Sequence, residues 1–350
     1  MMPRQVRAQV LYDNKDISAD LAPYLKSISY TDHLSGEADD LTLTLEDRAG
    51  LWQGAWMPEK GATLDVSLLR TSWNAPDGLE ETLPLGLFAV DEIESRGAPS
   101  EADIRATSVP ENNELRGVEK TRSWEKAELK VIAGDIATGA GMELVYDAED
   151  NPTLDRAEQT EQSDLSFLMQ LCEDQGLALK ICRNQIVIFD ESKYEEAVPE
   201  VAIVKPGTVY LPEEGLTYIT AIKGYRFRSR IRDVYRACHV ECQKADTKKT
   251  IEATFTDPDK TEGKTLQVKE QVDSIAEAER LAKKRLREKN RDEVTGSFDL
   301  PGNFRLLASV TVRVLGFGAF DGDYIVETAQ HSAGSGYTTS IDIRRCLHGY

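Results

Sequence analysis

The chain is short of several things, and each shortage closes a route to function. Positive charge is scarce: 42 Lys and Arg stand against 61 Asp and Glu, a formal net charge of −19 over 350 residues. A general nucleic-acid binder needs the opposite surplus to neutralise phosphates, so that class is set aside. An acidic wall would instead repel a phosphate backbone and let it slide past. Histidine is rarer still. His33, His239, His331 and His348 are all there is, and none stands in an H-E-x-x-H or related metal pattern. The five cysteines, Cys172, Cys182, Cys238, Cys242 and Cys346, are odd in number and widely spaced, unlike a secreted disulfide framework. No stretch approaches the ~18 consecutive apolar residues of a membrane span, and Met1 to Val10 lack the apolar core of a signal peptide. Synthesis in a reducing host cytoplasm, without membrane insertion, is therefore expected.

What is present is strand periodicity. Val6, Ala8 and Val10 share one face, as do Leu41, Leu43 and Leu45, and again Leu64, Val66 and Leu68. That period of two belongs to half-buried strands. Gly, Pro, Asp and Asn clusters separate the runs, as in an antiparallel barrel or sandwich. Helical spacing appears twice in the middle. Leu129, Ile132, Ala133 and Ile136 form one stripe, with Ser123 as its expected N-cap and Gly139 or Gly141 as its stop. Leu165, Leu168, Met169 and Cys172 form another, between Ser163 and Gly176. Two short strands about Arg183–Asn184 follow, then an acidic, Pro-containing stretch from Glu191 to Glu200 that reads as a connector. Strands return after residue 201, with one helix from Ser274 to about Asn290 whose stripe is Ile275, Ala278, Ala282 and Leu286. The fold class is thus α+β, predominantly β. Two barrel-like domains, 1–115 and 201–350, are expected to flank a small α/β insert at 116–200.

Candidate chemistry is thin. Cys238 and Cys242 share a strand face but lie roughly 13 Å apart at ~3.3 Å per residue, too far to ligate one zinc without a bend. His239 faces the other way, so strand packing is the reading. The run Gly316 to Gly322 faintly resembles a phosphate loop, yet it sits between strands with no helix N-terminus after it, and a turn explains it better. No G-x-S-x-G elbow is present. The sequence nominates no cofactor. Arg280, Lys283, Lys284 and Arg287 give the late helix a basic face. That face is either a solvated side with pairs such as Glu279–Lys283 or a surface that docks an acidic patch on a neighbouring subunit. Trp52, Trp56, Trp73 and Trp124 fall in the first part of the chain and are read as core or interface anchors.

One family pattern runs through these elements. Leu300-Pro301-Gly302, Gly316-Phe317-Gly318, Asp321-Gly322 before Tyr324, then His331 and Gly336-Tyr337-Thr338-Thr339 together resemble the phage late control gene D family. The segments opening at Asp16, Ser123 and Ser163 are similar to it as well. This family resembles the hub proteins of tail baseplates and the amino-terminal part of type VI secretion valine–glycine repeat proteins. The resemblance implies a homotrimer in which each subunit supplies two tube domains. A pseudo-sixfold ring would then join the tail tube protein to the threefold spike protein, with other baseplate proteins around it. DNA or tape measure would pass through an acidic lumen. It carries over no catalytic residues, and the chain ends at Tyr350 with no room for a fused lysozyme-like or spike domain. The expected residence is the host cytoplasm during assembly and then the virion tail. The alternatives are a tail-associated cell-wall-degrading enzyme, which would need a carboxylate in a defined cleft, and a cell-wall-binding module.

Overall fold

The structure is a computed structural model and describes residues 4–72, 80–109, 114–243, 250–272 and 274–349. Trp73 lies outside the described residues. Strand accounts for 48% and helix for 17%, so the α+β, predominantly β class holds. The chain divides into two compact units. Unit 1 holds residues 1–190, 300–308 and 328–340, and unit 2 holds 191–299, 309–327 and 341–350.

Unit 1 is built on an antiparallel ladder. In spatial order it runs through the Thr328–Ala333 end of strand Gly322–Ala333, then Leu25–His33, Asp40–Glu46, Glu101–Thr107, Glu81–Arg96, Thr63–Thr71 and Gln5–Tyr12. The alternation in the sequence explains the core. Leu41, Leu43 and Leu45 are buried with Leu64, Val66, Leu68 and Val10, while Thr42 and Thr44 are only half-buried on the other face. The long strand Glu81–Arg96 pairs with Thr63–Thr71 only as far as Ala89, and beyond that with Glu101–Thr107 alone.

The α/β segment of unit 1 has a core of its own. Helices Leu129–Gly139 and Asp164–Gln175 bury Leu129, Ile132, Ile136, Leu168 and Cys172 against Ile186 and Ile188 of a three-stranded sheet. The Ser163 hydroxyl accepts from the Ser166 N–H at 3.2 Å, and Gly176 ends that helix at φ +76°, as its sequence predicts. Arg183 and Asn184, both at positive φ, turn strand Ala178–Cys182 into Gln185–Phe189. Ser123 is different. It lies inside strand Glu119–Glu128, paired with Thr153–Ser163, and Glu128 is the residue that precedes the helix. The stripe fixed the helix, but a cross-strand partner some 35 residues away won the residues ahead of it.

In unit 2, strand Val201–Val204 lies between Thr217–Ile219 and Thr311–Leu315, parallel to both. Such parallel pairs are absent from the unit 1 ladder among the described residues. Strand Gly224–Ser229 pairs antiparallel with Val294–Pro301. Helix Ile275–Asn290 starts from a Ser274 cap and lays Ala278, Ala282 and Leu286 on Cys238, Val240 and Ala253 of a separate three-stranded sheet. Ile275, the first member of the predicted stripe, is 61% exposed.

Candidate functional site

The signature residues form two groups, one in each unit. In unit 2, Gly316 at φ +87° reverses the chain after strand Thr311–Leu315, and a Cβ there would overlap the Thr208 side chain. Gly318 opens a short 3₁₀ turn, Gly318–Phe320. Asp321 closes it, with Oδ1 accepting the Phe317 N–H at 2.6 Å and its own N–H bonding the Gly318 carbonyl at 2.9 Å. Gly322 then begins the next strand. Phe317 packs edge-on to Tyr225 and Phe298, and Phe320 stacks on Phe227 at 4.8 Å. The Tyr324 hydroxyl donates to the Phe320 carbonyl, and Arg345 reaches the Ala319 carbonyl. These residues hold a loop against an aromatic cluster. No anion cradle is formed.

In unit 1, His331 is fully buried. Its Nε2–H donates to the Leu306 carbonyl at 2.9 Å, which leaves Nδ1 to accept from the Tyr337 hydroxyl at 2.6 Å. Burial drives the imidazole pKa down to about 4, so the ring is neutral and structural at pH 7. Tyr337 in turn fixes Gly302, whose N–H bonds the Tyr337 carbonyl at 3.0 Å and whose Cβ would overlap the Tyr337 ring. Gly336 makes the turn into strand Tyr337–Arg345, its carbonyl accepting from Gly334.

The basic helix positions separate. Arg280 and Lys283 are exposed, whereas Lys284 is mostly covered and lies 3.5 Å from Glu288. Arg287 turns inward onto Glu195. There it joins a cluster the sequence reading missed. Arg344 is fully buried, with Nη2 donating to Glu191 at 2.8 Å and with Nη1 and Nε 2.5 and 3.0 Å from Glu195 and Glu327. Burial opposes its charge, and the carboxylates outweigh that and hold its pKa above the ordinary value. The stretch read as a connector therefore begins with a helical turn, Glu191–Glu195, whose two glutamates anchor the unit 2 core. Arg344 falls on the polar phase of its strand, with Asp342 and opposite Ile341 and Ile343, so the alternation gave no sign of its burial. A second buried network, in unit 1, sets Lys180 Nζ on Asp32 and, at 3.0 Å, on Asp39. Burial raises Asp39 to about 6, against the pull of Lys180.

None of this converges on a reacting group. Among the described residues no set of three or more His, Cys, Asp or Glu is placed to hold a metal. Cys238 is buried in strand Ala237–Gln243, and His239 bonds Thr254 at 2.8 Å. A pocket of about 420 Å³ in unit 1 has an apolar floor, and the charged residues lining it, Asp20 and Glu59, are both exposed. That lacks the buried carboxylate of a glycosidase acid. Of the tryptophans, Trp52 is buried, Trp56 is 41% exposed beside it, and Trp124 stacks on Phe167 at 5.5 Å. Among the described residues no helix is long and apolar enough to cross a membrane.

The structure superposes on the 43 kDa tail protein of prophage MuSo2 from Shewanella oneidensis with a TM-score of 0.68, covering 97% of this chain and 98% of that one at 13% identity. A chain of the Francisella PdpA–VgrG complex follows at 0.58, with 99% and 59% covered at 9% identity. The fold is that of phage tail and type VI VgrG-like proteins. In sequence, the chain is 28% identical over 204 residues to the probable baseplate hub protein of Escherichia phage P2, a match spanning 56% of this chain and 49% of that one. The likeness to baseplate hub proteins drawn from the signature residues therefore stands, and the chain matches about half the length of this curated relative. No protein-family model matches it.

Proposed function

We propose that this protein is a non-catalytic hub of a phage-type tail baseplate. In this reading three copies form a ring with pseudo-sixfold outer contacts, joining a sixfold tail tube to a threefold spike and leaving an acidic passage for DNA or tape measure. The observation that carries it is the sequence match to a baseplate hub protein, set within a fold shared over 97% of the chain with a phage tail protein. The division of each chain into two compact units supports the ring, since three copies then offer six. The charge of −19 suits a lumen that does not bind phosphate.

The test is light scattering of the protein with and without the candidate spike protein. A complex containing three copies of each is the expected result, and persistent monomer in both samples would refute the ring. Incubation with purified peptidoglycan tests the non-catalytic part, because released muropeptides would show an enzyme instead.

A further inference from the structure

Two surfaces described separately fit one another. The first is the unit 1 pocket. Val10, Leu43 and Ile104, all buried core residues, form part of its floor, and Trp56 and Met57, 41% and 52% exposed, stand at its mouth. Its charged lining is wholly acidic, Asp20 and Glu59, and no ion pair joins either among the described residues. Trp52, also lining it, is 6% exposed with its Nε1–H buried and lacking an acceptor. A buried donor is seldom left so.

The second surface is in unit 2, at the end of strand Gly224–Ser229. The run Arg226-Phe227-Arg228-Ser229-Arg230-Ile231-Arg232 sets four arginines in seven residues of a protein whose net charge is −19. Ile231 is 93% exposed, which is extreme for an isoleucine. Arg232 is equally exposed, and its recorded contact is Asp233 at 3.6 Å. Arg226 and Arg228 are exposed without an ion pair among the described residues, and Arg230 has Nη1 3.7 Å from Asp292. Among the described residues the strand itself pairs on one side only, with Val294–Pro301.

We infer that the arginine-flanked Ile231 of one copy seats in the acid-rimmed pocket of a second copy of this chain. The isoleucine covers the apolar floor, and the guanidinium groups meet Asp20 and Glu59. The exposed face of Trp56 can carry one of them. Because knob and socket are different surfaces, the contact is head-to-tail, and such contacts close into rings when the rotation permits. This rests on the ring-forming hub reading and names the contact that would build it.

The test uses the full chain carrying Ile231→Cys with Met57→Cys, two exposed positions, oxidised with and without the candidate spike protein. A covalent ladder ending at three copies is expected. The control pairs Ile231→Cys with Val131→Cys, exposed on helix Leu129–Gly139, and should give none. Arg228→Glu with Arg232→Glu should weaken association on the order of a hundredfold, and Asp20→Lys with Glu59→Lys added should restore it. A ladder no stronger than the control, or charge reversal without rescue, overturns the contact. If the wild type forms trimers while the cysteine pair stays uncross-linked, this contact fails and the hub reading survives. A wild type that is monomeric in every sample sinks both.

Discussion

Replacing Arg344 with leucine should cost unit 2 about 3 kcal/mol. The guanidinium has no solvent exposure, and neither has the Glu195 carboxylate 2.5 Å from it. Glu191 and Glu327, 11% and 26% exposed, complete its surroundings. Removing one partner of a buried ion pair costs about 3–5 kcal/mol, because the charge left behind can neither reach water nor find another cation. Here Arg287 remains on Glu195, which places the loss at the low end. With a urea slope of about 2 kcal/mol/M for a domain of ordinary size, the midpoint should fall by about 1.5 M. Urea unfolding followed by circular dichroism measures this directly. Arg344→Leu combined with Glu195→Gln should lose less than the sum of the two single changes, since each single variant strands the same partner. A loss below about 1 kcal/mol for Arg344→Leu, or strict additivity, would refute the reasoning.

Gly302→Ala should destabilise unit 1 by about 3 kcal/mol, because the new methyl group meets a Tyr337 ring that His331 holds in place; unchanged thermal unfolding would contradict this. His331 gives a pH signature. Its folded pKa of about 4 lies below the 6.5 of an unfolded histidine, so its contribution is complete above pH 6.5 and is lost as pH falls toward 4. The full span is about 3 kcal/mol. The stability gap between wild type and His331→Gln should therefore narrow over that window, and parallel pH profiles would count against it. Burial lifts the Cys172 and Cys346 thiols to about 12 and Cys238 to about 11. All three should resist alkylation at pH 8 in the folded protein and react on unfolding, as mass spectrometry would show; labelling of the folded chain would mean these segments open locally.

The elements that depend on local chemistry were readable from the chain alone. The Leu41, Leu43 and Leu45 alternation, the Ser163 cap with its Gly176 stop, and the Arg183–Asn184 turn each follow from residues close to one another in sequence. Ser123 misled because a capping residue and a strand residue look alike until the cross-strand partner at Glu158 is known. The same limit hid the Arg344 cluster, since Glu191 and Glu195 lie about 150 residues away in sequence. The signature glycines were noticed for their pattern, but only the Tyr337 ring beside Gly302 and the Thr208 side chain beside Gly316 explain why a larger residue fails there. The basic helix was nominated by counting charges. The weight of the Arg226–Arg232 run became visible only once Ile231 proved exposed.

The polypeptide changes unit at residues 190/191, 299/300, 308/309, 327/328 and 340/341. Neither unit can therefore be finished by a ribosome that has made only the first 300 residues, because strand partners for each arrive last. Nascent or prematurely terminated chains would carry an open ladder edge at Leu25–His33, awaiting Thr328–Ala333. Such fragments would expose unpaired backbone along that edge.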